Sequence, residues 1–180
     1  NEALFLWVMH RFAEAFEDHA VLKGGMALRL VDSPRATTDI DYVFVPFSSK
    51  ADVREDIERV LREIEGADVR VSLHSTMLRA DVRLDDAAIQ VEVSVAPACR
   101  SAAMATGGFA LSLGQPSHVV RVMEWGAALA HKLAAWNERR LLRDLAAELA
   151  PLLPEAELAG LVPRLRASIV GLAEGLAERG

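Results

Sequence analysis

KGGMALRLVDSPRATTDIDYVF, residues 23–44, places two glycines ahead of a short apolar segment and two aspartates one residue apart. Gly24 and Gly25 allow backbone N–H groups to approach an anion closely, and the helix predicted to follow them adds partial positive charge. A tight strand-to-helix turn explains the same two glycines without any ligand. Taken alone, the glycine pair is compatible with a phosphate site and with a plain turn.

The two aspartates of this stretch open a predicted strand. The apolar sequence IDYVFV is typical of a buried strand, in which side chains alternate between the two faces. Asp39 and Asp41 therefore share a face, while Ile40 points into the core. Carboxylates held that close repel one another, and a bound divalent cation is a common reason for keeping them. Two solvated aspartates at the start of a strand are the alternative interpretation.

A third carboxylate is predicted beside this pair. Ile89, Val91, Val93 and Val95 alternate along a strand, so Glu92 lies on the opposite face from them. Three oxygen ligands beside a phosphate-binding turn are what two-metal phosphoryl or nucleotidyl transfer requires. The sequence thus predicts a site for Mg²⁺ or Mn²⁺ at Asp39, Asp41 and Glu92.

Apolar periodicity predicts the elements around this stretch. The expected order is an opening helix, a short strand, a short helix, the aspartate strand, a further helix, three strands from Val69 and then helices. Helical periodicity resumes at Val119 and runs to about Leu149, and a last helix starts near Pro163. The glycines of TGGF, residues 106–109, are interpreted as a hairpin turn.

This order predicts an α+β fold with a small mixed β-sheet covered by helices. We expect a core over residues 1–115 and a C-terminal helical region over residues 116–180, packed on that core as one compact unit.

Composition limits the function further. The 180 residues carry a net charge of −6, which argues against a general polyanion-binding surface and requires any nucleic acid to be held locally. The single cysteine, Cys99, fits a reducing compartment, and no apolar run is long enough to cross a bilayer, so a cytoplasmic location is expected. Of the 20 basic residues only three are lysines, which draws attention to Lys23 and Lys132 as point charges.

The segments LKGGMALRL, RATTDID and HKLAAWNERRLLRDL, with an acidic strand between the last two, resemble the AbiEii/AbiGii toxin family of nucleotidyltransferases. This family belongs to the polymerase-β-like superfamily, and the resemblance covers residues 20–149. It implies an NTP substrate, a divalent metal, an RNA acceptor such as tRNA and a cognate antitoxin protein. The residues that it implies for catalysis are Asp39, Asp41, Glu92, Lys132 and Asp144, the first three as metal ligands. Those expected to bind the nucleotide are Lys23, Gly24, Gly25, Arg35, Thr38 and Lys132.

One departure from the family pattern keeps other functions open. Relatives commonly carry a second aspartate three residues after the late motif aspartate, where this chain has Ala147. Transfer to a small molecule or a protein side chain, which the acidic net charge favours, is one alternative. A nucleotide-binding regulatory module without catalysis is another. The five histidines lack metal-ligand spacing, and no Walker-type or dinucleotide-binding glycine motif occurs.

Overall fold

A computed structural model describes residues 1–31, 37–124 and 126–128 of the chain. Residues Asn1–Glu124 form one compact unit. Its helices are α1 (Glu2–Phe16), α2 (Gly24–Arg29), α3 (Ala51–Leu61) and α4 (Gly107–Ser112), and a 3₁₀ turn spans Glu17–His19. Its strands are β1 (Ala20–Lys23), β2 (Asp39–Phe44), β3 (Asp68–Leu73), β4 (Leu78–Leu84), β5 (Ala87–Val95), β6 (Ser101–Ala105) and β7 (Val119–Met123).

The strands form a mixed sheet. Within the described ranges it has seven strands in the order β3-β4-β5-β2-β1-β7-β6. The pairs β2–β5 and β1–β7 are parallel, and the other neighbouring strands are antiparallel. β1 and β2 therefore lie at the centre of the sheet, and each carries one end of the glycine and aspartate stretch.

One face of the sheet is packed against helices. Ile40, Tyr42 and Phe44 of β2 are all buried on this face, as the alternation of the strand requires. The ring of Phe12 in α1 contacts them, with centroids 5.0 Å from Tyr42 and 5.9 Å from Phe44. Helix α3 adds the stripe of Val53, Ile57, Val60 and Leu61 to the same core. Because this core takes the even-numbered residues of β2, Asp39 and Asp41 are directed to the other face.

The predicted α+β class is confirmed, and so are α1, α3, β2 and the three consecutive strands β3, β4 and β5. The helix predicted to start at Val119 is wrong over its first five residues, which form β7 beside β1. Val120 and Val122 are buried while Val119 is exposed, so the segment has the period of a strand.

One further local prediction fails, and one strand was not predicted. Gly107–Ser112 form the short helix α4 and not a hairpin turn, and β6 precedes it without having been predicted.

The proposed division into residues 1–115 and 116–180 stays a prediction. The helices predicted beyond residue 128 lie outside the described part of the chain, and none of the described helices is long and apolar enough to cross a membrane.

Candidate active site

A row of charged residues, two carboxylates between two cations, crosses the centre of the sheet on the face opposite α1. Lys23 of β1 is the register partner of Asp41 of β2, which is in turn the partner of Glu92 of β5. Arg79 of β4 is the next partner of Glu92. Residues paired in register on neighbouring strands project to the same face. Lys23, Asp41, Glu92 and Arg79, named here the charged row, therefore lie side by side.

A second row runs parallel to the charged row. Asp39 is in register with Gln90, which is in register with Asp81 of β4. The Asp39 carboxylate Oδ1 accepts a hydrogen bond from the Thr38 hydroxyl at 2.5 Å, and Gln90 Nε2 donates to Asp81 Oδ1 at 3.2 Å. Thr38, predicted to bind nucleotide, thus contacts one of the predicted metal ligands directly.

Gly24 stands directly against Asp41. Its φ of 72° lies in the left-handed region, and a Cβ built on it would come within 2.2 Å of Asp41 Oδ2. Gly25 is close to the segment that enters β2, because a Cβ there would lie 2.8 Å from Thr37 Oγ1. Thr37 Oγ1 donates in turn to the backbone oxygen of Asp39 at 3.0 Å. Both glycines are therefore required by close contacts, and these contacts place the start of α2 beside the aspartates.

Glu92 is held by Arg79. Arg79 Nη2 donates to Glu92 Oε1 at 2.7 Å, with 18% of the glutamate side chain and 35% of the arginine side chain exposed. Sequence reasoning did not single out Arg79. The sequence does show that Arg79 is a charged residue in the alternating segment LRADVRL. Only the register of β4 on β5, however, shows that it lies opposite Glu92.

Lys23 stands at the β1 end of the charged row, near the lone cysteine, Cys99. Burial raises the pKa of the Cys99 thiol, and the nearby positive charge of Lys23 acts in the opposite direction. Lys23 is partly buried and, being in register with Asp41, lies on the same sheet face.

The residues present fit a divalent cation by the chemistry of their side chains. Asp39, Asp41 and Glu92 supply hard oxygen ligands from adjacent strands and one face, as Mg²⁺ and Mn²⁺ prefer. The carboxylates are not gathered around one point, however. Among the residues that the structure describes, no group of three or more His, Cys, Asp or Glu side chains is arranged to hold a metal ion. Glu92 is bound to Arg79, on the side of its strand away from Asp41.

Three predicted site residues lie outside the described part of the chain. They are Arg35, assigned to nucleotide binding, Lys132, assigned to the triphosphate, and Asp144, the late acidic residue. Their roles stay predictions.

A strand-to-helix glycine turn packed on an aspartate pair, in a mixed sheet with a third carboxylate alongside, is the arrangement expected of enzymes that handle nucleoside triphosphates. The profile of the family described as "Nucleotidyl transferase AbiEii toxin, Type IV TA system" matches residues 7–146. The chain therefore belongs to the AbiEii family and is a nucleotidyltransferase of the toxin type. Membership in this family implies an NTP substrate and an antitoxin partner.

One solved structure agrees on the fold, and a second matches the chain with a lower TM-score. JHP933 from Helicobacter pylori has 15% sequence identity and a TM-score of 0.51, and the match covers 99% of this chain and 92% of that one. TM1012 from Thermotoga maritima, provisionally named a nucleotidyltransferase, has 19% identity and a TM-score of 0.46 over 80% of this chain and 93% of its own. No curated protein matches the sequence.

Proposed function

We propose that this nucleotidyltransferase is magnesium-dependent and transfers a nucleoside monophosphate from an NTP to a hydroxyl group of RNA, with tRNA as the preferred acceptor. The observation that supports the metal and the site is the in-register placement of Asp41 and Glu92, with Gly24 in contact with Asp41. The RNA acceptor is proposed from the family alone.

Asp39, Asp41 and Glu92 are the proposed metal ligands. When bound there, a divalent cation supplies positive charge for the triphosphate and activates the attacking hydroxyl. Lys23 lies at the end of the charged row and adds a cation for a phosphate oxygen, and the backbone N–H groups of Gly24 and Gly25, at the start of α2, are the proposed donors to the phosphates. Arg35, Thr38, Lys132 and Asp144 complete the proposed set.

The balance of the transfer is simple. The acceptor hydroxyl oxygen bonds to the α-phosphorus, the bond from the α-phosphorus to the bridging oxygen breaks, and pyrophosphate leaves. The hydroxyl proton passes to a carboxylate or to water. The cytoplasm, where NTPs and RNA are available, is the proposed location, and the lone Cys99 agrees with a reducing compartment.

The test is to incubate the protein with each α-labelled NTP, Mg²⁺ and total RNA, and to identify the labelled macromolecule. Label in a tRNA band, lost when EDTA replaces Mg²⁺, is the expected result. Label in a protein or a small molecule would instead support the alternative acceptors, which the net charge of −6 favours. Nucleotide binding without any labelled product would support the regulatory module and contradict the proposed activity.

A further inference from the structure

The charged row ends at an arginine, Arg79, that is bound to one of the three proposed metal ligands. Arg79 donates to Glu92 Oε1 at 2.7 Å, from the strand on the opposite side of β5 from Asp41. A carboxylate drawn toward β4 by this hydrogen bond is drawn away from the aspartates of β2.

The contact between Arg79 and Glu92 is made by one guanidinium nitrogen. Nη2 makes the hydrogen bond, whereas Nε is buried and has no partner in the described part of the chain. Bidentate pairs between arginine and carboxylate are stronger and geometrically more specific than single contacts. A single contact with a third of the arginine side chain exposed is one that a competing cation can displace.

The charges on the face explain why a cation is kept at this place. Without metal, Asp39, Asp41 and Glu92 put three carboxylates on one face of adjacent strands, and like charges so close are destabilising. Lys23 flanks the carboxylates on the β1 side and Arg79 on the β4 side. The arginine therefore neutralises part of the charge that a divalent cation would otherwise neutralise.

We propose that Arg79 is an internal competitor of the divalent cation: it holds Glu92 in the metal-free protein and must release that carboxylate before Glu92 joins Asp39 and Asp41 around the metal. Arg79 is thus a positioning residue that sets how much free metal the site needs. This inference rests on the proposed metal-dependent function.

The experiment measures metal binding without turnover. Mn²⁺ is titrated calorimetrically into the wild-type protein and into Arg79→Met, which keeps much of the side-chain volume and removes the charge. Loss of a competing unit charge a few ångströms from the site should tighten Mn²⁺ binding about tenfold. The increase in Tm on adding saturating Mn²⁺ should also be larger in Arg79→Met than in the wild type, because the metal-free variant has lost its counter-charge.

Arg83→Met is the matched control. Arg83 lies on the same strand and face as Arg79, but its register partner on β5 is the uncharged Ala88. This variant should bind Mn²⁺ with wild-type affinity. In a Glu92→Gln background, Arg79→Met should no longer tighten binding, because the carboxylate under competition has been removed.

The outcomes separate the inference from the function on which it rests. Mn²⁺ binding by the wild type with equal or weaker affinity in Arg79→Met would overturn the inference and leave the metal site standing. No Mn²⁺ binding by either protein would overturn both. If Arg79→Met does not fold, Arg79→Lys provides the same test, since the more strongly hydrated ammonium pairs less well and binding should tighten by about a few fold. Unchanged affinity in Arg79→Lys would then contradict the competition.

Discussion

At the scale of single residues, the contact between Gly24 and Asp41 explains why the sequence has glycine after Lys23. The backbone there has a φ of 72°, and the carboxylate oxygen occupies the position that a side chain would take. The same two facts make the position sensitive in two separable ways. The backbone conformation affects stability, and the position of the Asp41 carboxylate affects the site.

Gly24→Ala should therefore reduce both stability and activity. The left-handed conformation costs an alanine about 1–2 kcal/mol, and the added methyl group must displace the Asp41 carboxylate. We expect a lower free energy of unfolding in urea and loss of nucleotidyl transfer at temperatures where the variant is folded.

Gly66→Ala is the matched control for this prediction. Gly66 has a similar φ of 79°, but its nearest neighbour would be Leu84 Cδ1 at an ordinary 3.6 Å. Its stability should fall by a similar amount while its activity per folded molecule stays at the wild-type level. Full activity in folded Gly24→Ala would show that the carboxylate does not need its position.

At the scale of elements, β2 has two functions because its side chains alternate. Its even-numbered residues form the core with α1, and its first odd-numbered residues form the site. Packing of α1 on β2 therefore fixes the position and orientation, within the sheet, of the strand that carries both aspartates.

Phe12→Ala should be strongly destabilising. Phe12 is completely buried, and its ring packs edge-on to Phe16 and Phe44 and tilted to Tyr42. Removing a buried phenylalanine ring typically costs about 3–5 kcal/mol. Urea unfolding followed by circular dichroism measures this loss. The comparison is Leu111→Ala, because Leu111 is 71% exposed and its removal should change stability by no more than about 0.5 kcal/mol. Equal effects of the two substitutions would contradict the packing of α1 on the sheet.

A stack of two histidines joins α1 to the residue directly before β7. The rings of His10 and His118 lie 3.9 Å apart, and His10 Nε2 is 3.1 Å from the buried Thr106 hydroxyl. Burial lowers the pKa of His10 and the charge of His118 lowers it further, whereas Glu14, which also faces His118, raises it.

Stability should consequently fall as the pH is lowered through the ordinary histidine range. A histidine whose pKa is lower in the folded state binds fewer protons there than in the unfolded chain, so its stabilising contribution is complete above about pH 6.5 and declines below it. The free energy of unfolding of His10→Gln should depend less on pH between about 7.5 and 5 than that of the wild type. His74→Gln, in the exposed β3–β4 turn, should keep the wild-type dependence. An unchanged slope in His10→Gln would refute this assignment.

At the scale of the whole molecule, periodicity was enough to predict the elements with an amphipathic pattern. The stripe of α3 and the alternation of β3 to β5 are local signals, and α+β follows from their order. The residues Val119–Met123 were misassigned because four apolar residues around a single arginine, Arg121, directly before a helical segment fit either period. Helix α4 has only six residues, two of them glycines, and gives no periodic signal.

The site, like the fold, was predictable only where the pattern within a single strand determines it. The common face of Asp39 and Asp41 follows from their spacing, and that of Glu92 from its strand, but the order of strands in the sheet does not follow from the sequence. Arg79 could not be placed opposite Glu92 without the register of β4 on β5. The pairings of β2 with β5 and of β1 with β7 join strands that are distant in the chain and depend on tertiary packing, which single-sequence patterns do not encode.

The account depends most directly on Asp41 being a metal-binding catalytic carboxylate, and the transfer assay with Asp41→Asn tests this. Asparagine preserves the size of the side chain and removes the charge that holds a divalent cation. Asp86→Asn, in the turn between β4 and β5, removes an equal charge away from the charged row and serves as the control. With α-labelled NTP, Mg²⁺ and RNA, we expect at least about a hundredfold loss of labelled product in Asp41→Asn and wild-type labelling in Asp86→Asn. Undiminished labelling by folded Asp41→Asn would contradict the account.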